Sequence, residues 1–195
     1  MKRLGTLNTL AIALITIGIG LYLTGIWLRS SSSAAQSQPA FTAQNSQPPR
    51  FSDPQTISGN PVHIDIDSLN IHNPVIKGVF DIHTGNWTLT TDKVQFAVTS
   101  YPPNNAEGMT YMYGHNRGEV FSRLPRIQPG ATATVTTDNG KQFVYRYRES
   151  KVVKPKDVEV LNYTGSPILV LQTCTGFYYE NRQLFYFDFI EVRDA

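Results

Sequence analysis

The sequence predicts an all-β domain, a barrel of eight short strands with one or two short helices, preceded by a single transmembrane helix. Three observations predict it. From about residue 56, apolar residues recur with a period of two in short runs bounded by turn residues. No long helical pattern alternates with those runs, which argues against a βαβ sheet and for strands closed on themselves. The first 29 residues, finally, have a composition unlike anything after them.

That first segment opens with the basic Met1-Lys2-Arg3. Leu4 to Leu28 then runs 25 residues without a charge, and Arg29 closes it. As a helix rising about 1.5 Å per residue it reaches about 37 Å, enough to cross a hydrocarbon core with some tilt. A cleaved signal peptide is the alternative. Its apolar region is usually about 7–15 residues, and Ser33-Ala34-Ala35 offers a place to cut. The length favours an uncleaved anchor over residues 1–29. The charges flanking it favour a cytoplasmic N-terminus and an extracytoplasmic C-terminal domain. Residues 30–55, rich in Ser, Gln, Ala and Pro, cannot bury enough apolar surface to offset their ordering entropy and read as a flexible linker. Residues 56–195 make up the folded domain.

The strands follow in order. "PVHIDIDSL" alternates Val62, Ile64 and Ile66 against His63, Asp65 and Asp67. "NPVIKGVF", "KVQFAVTS" and "MTYMYGH" come next. "GEVFSRLPRI" is the best short helix, ended by Pro125. "ATATVTTDNGKQFVYRYRESKVVKP" reads as a hairpin turned by Asp138-Asn139-Gly140. "SPILVLQTC" and "QLFYFDFIEV" complete the set. Net charge is +2, from 17 basic and 15 acidic residues, and no basic run interleaves with aromatics. Nucleic acid is therefore not an expected partner.

Cys174 is the only cysteine. In an exported chain it has no internal disulfide partner, so it is inert packing, an intermolecular thiol or a reactive one. On its strand Val170, Gln172 and Cys174 share one face and Leu169, Leu171 and Thr173 the other. On the next, Phe185, Phe187 and Phe189 oppose Arg182, Leu184, Tyr186 and Asp188. If the leucines and phenylalanines fill the core, Cys174 and Arg182 meet on the opposite face, provided no bulge intervenes. Of the four histidines, His63 sits on the polar side of an early strand, and His72 and His83 lie in turn-like "NIHNP" and "DIHTG". Surface solvation accounts for these three. His115 differs: it directly follows a strand, between Gly114 and Gly118.

Cysteine, histidine and arginine together form a coherent device. The thiolate attacks, an imidazolium protonates a departing amine, and a permanent guanidinium charge steadies an oxyanion. With ordinary pKa values of about 8.5 and 6.5, the thiolate–imidazolium pair is disfavoured by about 2.7 kcal/mol, so about one molecule in a hundred is poised.

"LVLQTCTGFYYENR" resembles the sortase signature, an L-x-T-C that ends one strand with an Arg opening the next. "YMYGHNRGEVFSRL" is similar to the sortase histidine segment. The order His, Cys, Arg and the N-terminal anchor agree with it, while Val170 stands where many members have Thr. The resemblance covers residues from about 56 to 195 in architecture and about 30 residues in motif. It implies a membrane-anchored cysteine transpeptidase with catalytic His115, Cys174 and Arg182, with Thr173, Asn116 and Tyr178 contacting substrate. The implied substrate is an LPXTG-like sorting signal, cut through a thioacyl intermediate. The implied acceptor is an amine of a cell-wall precursor or pilin. The length suits one of the smaller classes, D, E or F. No cofactor is expected. No metal is expected either, since Asp65, Asp67 and Asp81 read as solvated acids.

Two rivals stay open: a hydrolase with the same site, and an anchored binding domain in which Cys174 is inert. An L,D-transpeptidase would show a compact S-H-G-C-x-R, whereas Cys174 and Arg182 are eight residues apart. The "FYY" run at 177–179 reads equally as groove lining or loop packing. Asn86-Trp87-Thr88 and Asn162-Tyr163-Thr164 match glycosylation acceptors, a frequent accident.

Overall fold

The computed structural model describes residues 55–83, 86–118, 120–157 and 159–195. The anchor expected over 1–29, and the linker expected over 30–55 apart from Gln55, lie outside the described residues. Among those described, no helix is long and apolar enough to cross a membrane.

Ten strands form. They are β1 (Pro61–Ile66), β2 (Ile71–Gly78), β3 (Phe80–Asp81), β4 (Asn86–Trp87), β5 (Val94–Ala97), β6 (Met109–Tyr113), β7 (Thr132–Thr137), β8 (Lys141–Val153), β9 (Ile168–Thr175) and β10 (Asn181–Asp194). Eight close into a barrel in the order β1-β2-β5-β6-β9-β10-β8-β7, as the sequence predicts, and β3 and β4 make a separate two-stranded ribbon. The β2–β5 and β6–β9 pairs are parallel and the other barrel pairs antiparallel. Closure removes the free edges that an open sheet would leave.

Period two fills the barrel. Ile64, Ile66, Met112, Val135, Phe143, Tyr145, Leu169, Leu171, Phe185 and Phe187 form the interior, each 1% exposed or less. Apolar residues of the opposite parity make a second cluster on the outer face of β5, β6, β9 and β10. Ala97, Met109, Tyr111, Tyr113, Ile168, Val170 and Leu184 lie there, packed against Trp87 from the ribbon and against Val160, Leu161 and Tyr163 from the β8–β9 connection. A sheet with both faces covered at this one place marks the wall that carries the site.

Three expectations are corrected. Val62 does not join Ile64 and Ile66 inside: it is 42% exposed. The β1–β7 register shifts between Pro61 and His63, so Val62 is the extra residue of a bulge and turns outward. "NIHNP" is strand rather than turn, with His72 inside β2. "GEVFSRLPRI" is not a helix that Pro125 ends. It is a succession of i→i−3 turns, Val120 N to Arg117 O and Leu124 N to Phe121 O among them, closing in a 3-10 turn at Leu124–Arg126. Pro125 lies within that first turn, where its missing N–H has no partner to lose. The hairpin turn at Asp138-Asn139-Gly140 forms as expected, with Gly140 at φ +75°.

Candidate active site

Cys174 and Arg182 are directly paired across β9 and β10, and the register between these strands runs from Asn181↔Thr175 to Asp188↔Ile168 without a shift. The parity argument therefore holds on this hairpin. Leu169 and Leu171 point into the barrel, and Cys174 and Arg182 share the outer face. The thiol is free and half-buried. Between the two residues, Gly176 at φ +87° starts a 3-10 turn over Phe177–Tyr179. The Arg182 guanidinium donates to the Tyr179 carbonyl (3.0 Å) and the Asn181 carbonyl (3.1 Å), which aims it back over its own loop.

His115 follows β6, whose parallel partner is β9. The histidine segment is stitched to the cysteine strand on both sides of His115. Before it, Gly114 N donates to Gln172 O (3.1 Å), and Thr173 Oγ1 donates to Gly114 O (3.0 Å). After it, Asn116 Nδ2 donates to the Cys174 carbonyl (2.9 Å), and Phe121 N donates to the His115 carbonyl (3.2 Å). Gly114 has a steric reason as well. A Cβ there would meet Val120 Cγ1 at 2.7 Å and the Phe121 ring at 3.1 Å, so only glycine lets the chain turn this tightly over the following segment. Burial first, and then the nearby Arg117 guanidinium, hold the His115 imidazole below its ordinary pKa.

The structure thus ties the His115–Asn116 segment to the strand of Thr173 and Cys174 and pairs Cys174 with Arg182, but it gives Thr173 and Asn116 different surroundings from those expected. Thr173 is 1% exposed and points into the barrel, the face opposite Cys174. Parity keeps its side chain from substrate and makes it a tie to Gly114. The Asn116 amide is engaged with the Cys174 backbone, so it positions the histidine segment. Tyr178 is 86% exposed, beside Phe177 at 79% and Tyr179 at 59%, and its ring meets that of Phe177 edge-on at 4.4 Å. Tyr178 (φ 55°) and Tyr179 (φ 60°) also hold left-handed backbone that bulky residues rarely adopt.

Two features escaped the sequence. The first is a cleft of about 600 Å³ beside the paired residues, lined by Lys151, Val153, Val160, Tyr163, Leu184 and Tyr186, among others. Leu184 is two residues from Arg182 on the same face, so the cleft begins about 7 Å from the Cys174–Arg182 pair. Asn162 of the second glycosylation-like triplet also lines it. The second feature is the Tyr111 hydroxyl, which donates to Gln172 Oε1 beneath this wall. Burial pushes that phenol well above its ordinary pKa, with the Arg182 charge acting the other way. Tyr113, which donates to Thr88 O, is pushed up to about 12, also by burial. Only the parallel β6–β9 pairing puts Tyr111 beside this strand, and no local pattern announces that pairing. Asp81 does not join Asp65 and Asp67: its carboxylate accepts from His83 N (2.8 Å) in its own turn.

With this geometry established, comparisons locate the chain among known proteins. The family model described as the sortase domain matches residues 64–187. Sortase E1 from Streptomyces coelicolor, solved with a tripeptide in its active site, aligns with a TM-score of 0.59 at 23% identity, covering 70% of this chain and 91% of that one. Sortase C-1 from Actinomyces oris aligns with a TM-score of 0.57 at 22% identity, covering 68% and 76%. Sortase A from Corynebacterium diphtheriae aligns with a TM-score of 0.58 at 19% identity, covering 69% and 62%. At these identities the structures establish a shared fold. A comparison with curated proteins found no match.

Proposed function

The chain belongs to the sortase family, and on that footing we propose that it is a membrane-anchored, extracytoplasmic cysteine transpeptidase that cuts an LPXTG-like sorting signal. The observation that carries this reading is the pairing of Cys174 with Arg182 on one face, with the His115 segment tied to the same strand.

The Cys174 thiolate attacks the carbonyl carbon of the Thr–Gly bond, and the carbonyl electrons move to oxygen. Arg182 stabilises that oxyanion with its fixed charge. On collapse the C–N bond breaks, and the departing amine takes its proton from the His115 imidazolium. A thioester remains on Cys174. An amine of a cell-wall precursor or pilin then attacks it, His115 takes up the proton, and the thiolate is released. The cleft between β8, β10 and the β8–β9 connection receives the peptide on the acyl side of the cut, against an apolar floor of Ile168 and Leu184 with Tyr186. Tyr178 closes over the peptide near the cut. The anchor over residues 1–29 keeps the enzyme beside substrates that emerge from the membrane.

Intact mass tests this directly. The full-length chain and its Cys174→Ala variant are incubated with a panel of LPXTG-like peptides, with and without an amine acceptor. An acyl adduct on the parent alone, discharged into an amine-linked product, supports transpeptidation. Discharge to water alone under every amine offered supports the hydrolase instead. No adduct, together with a thiol that resists alkylation, returns the chain to an inert binding domain.

A further inference from the structure

The β1–β2 hairpin carries a set of donors that the chemistry at Cys174 does not use. His63 and Asp65 are two apart on β1 and share a face. His72 stands directly opposite Asp65 on β2, and Asp67 opens the turn between the strands. Asp65 Oδ1 lies 2.8 Å from His72 Nδ1 and 3.3 Å from His63 Nε2, and Asp67 Oδ1 lies 3.9 Å from His72 Nδ1. The donor atoms of Asp65, Asp67 and His72 all fall within 4.8 Å of one another. A tetrahedral ion with bonds of about 2.0–2.1 Å to imidazole nitrogen and carboxylate oxygen separates its ligand atoms by about 3.3 Å. The two spacings measured within that trio, 2.8 and 3.9 Å, straddle that edge. Among the described residues, moreover, no lysine or arginine forms an ion pair with either carboxylate. Two negative charges thus converge on imidazoles without a permanent cation.

We infer that Asp65, Asp67 and His72 bind a zinc-like divalent cation that braces the segment carrying His115, with water completing its shell. Mixed imidazole and carboxylate ligands suit zinc and its transition-metal neighbours, whereas calcium and magnesium take oxygen ligands. The bracing follows from what the hairpin turn holds. Arg123 donates to the Asn70 carbonyl (2.7 Å), and Asn73 Nδ2 donates to the Val120 carbonyl (3.1 Å). Both contacts reach the run of turns that follows His115. Asp67 and His72 stand on either side of Asn70, so an ion on both fixes the turn that Arg123 grips. Binding itself is independent of the proposed transpeptidation. Only the consequence for the histidine segment touches it.

The test uses the full-length chain in detergent, without a histidine tag and carrying Cys174→Ala so that the thiol takes no metal. Calorimetric titration with zinc chloride is expected to give one ion per chain, weakened at least tenfold by His72→Ala and by Asp67→Asn. Both side chains are exposed, at 47% and 91%, so the variants are expected to fold. Calcium and magnesium chloride are expected to give no binding. Unaltered zinc affinity in both variants overturns the site, as does the absence of zinc binding in the parent, and calcium binding in place of zinc overturns the ion class. Hydrogen exchange then reads the coupling: zinc is expected to slow the amides of residues 114–118, 120–124, 126 and 127. Zinc binding with no change there overturns the bracing.

Discussion

Thr173→Val probes the tie between the two strands that carry the candidate catalytic residues. The substitution keeps the side chain's shape and removes one donor. In the parent, Thr173 Oγ1 donates to the Gly114 carbonyl at 3.0 Å, with Thr173 1% exposed and Gly114 buried. Without it a buried acceptor faces a methyl group, at a cost of about 1–3 kcal/mol. A domain of this size loses about 4 °C of melting temperature per kcal/mol, so Tm is expected to fall by about 4–12 °C. Thr173→Ser is the control. It keeps the donor and loses one methyl group, worth about 0.8 kcal/mol of burial. Differential scanning calorimetry on parent, Val and Ser variants is expected to rank them parent, Ser, Val. Burial alone predicts the opposite order for the two variants, because valine retains more apolar surface. A valine variant as stable as the serine one would refute the argument that this hydrogen bond holds the histidine segment to β9.

The remaining predictions concern the chemistry. Arg182→Lys keeps the charge, but one terminal guanidinium nitrogen holds both the Tyr179 and Asn181 carbonyls while the rest of the planar fork faces outward, whereas an ammonium would spend its donors on those carbonyls; acylation of Cys174 by a cognate peptide is expected to slow by about 10²–10³, and a lysine variant within threefold of parent would rule out an aimed guanidinium. Because burial and Arg117 lower the His115 pKa, the imidazolium persists only to lower pH than an ordinary imidazole would allow. Arg117→Gln removes one of the two causes, so the acid limb of kcat/KM is expected to move up in pH toward about 6.5 and the maximum to rise by the same factor; a limb that stays in place refutes this sign. Tyr178→Gly relieves left-handed strain at φ 55°, so Tm is expected to hold or rise by a few degrees while KM for peptide increases about tenfold. An unchanged KM would show that the exposed aromatic turn makes no contact with peptide.

The hairpin around Cys174 was legible because one rule, period two, decides it, and because β9 and β10 keep register from residue 168 to 188. The same rule failed at Val62, where a bulge inserts one residue and the face flips. Nothing in "NPVHIDI" distinguishes the two cases: whether a strand bulges depends on the partner it meets, here β7, some 70 residues away. The site divides along the same line. Cys174 and Arg182 are local to one hairpin, so their meeting follows from parity. His115 reaches them only through the parallel β6–β9 pair, and a parallel pair has no turn to announce it. Gly114, Thr173 and Asn116 show why a motif understates such a site. Read as letters, all three flank candidate catalytic residues, and Thr173 and Asn116 look like substrate contacts. Read as donors and acceptors, Thr173 and Asn116 form two clasps, one before His115 and one after it, that fasten the His115 segment to the strand carrying Cys174. The candidate catalytic residues are therefore spelled out locally, while the assembly of their segments rests on hydrogen bonds between residues 58 and 59 positions apart.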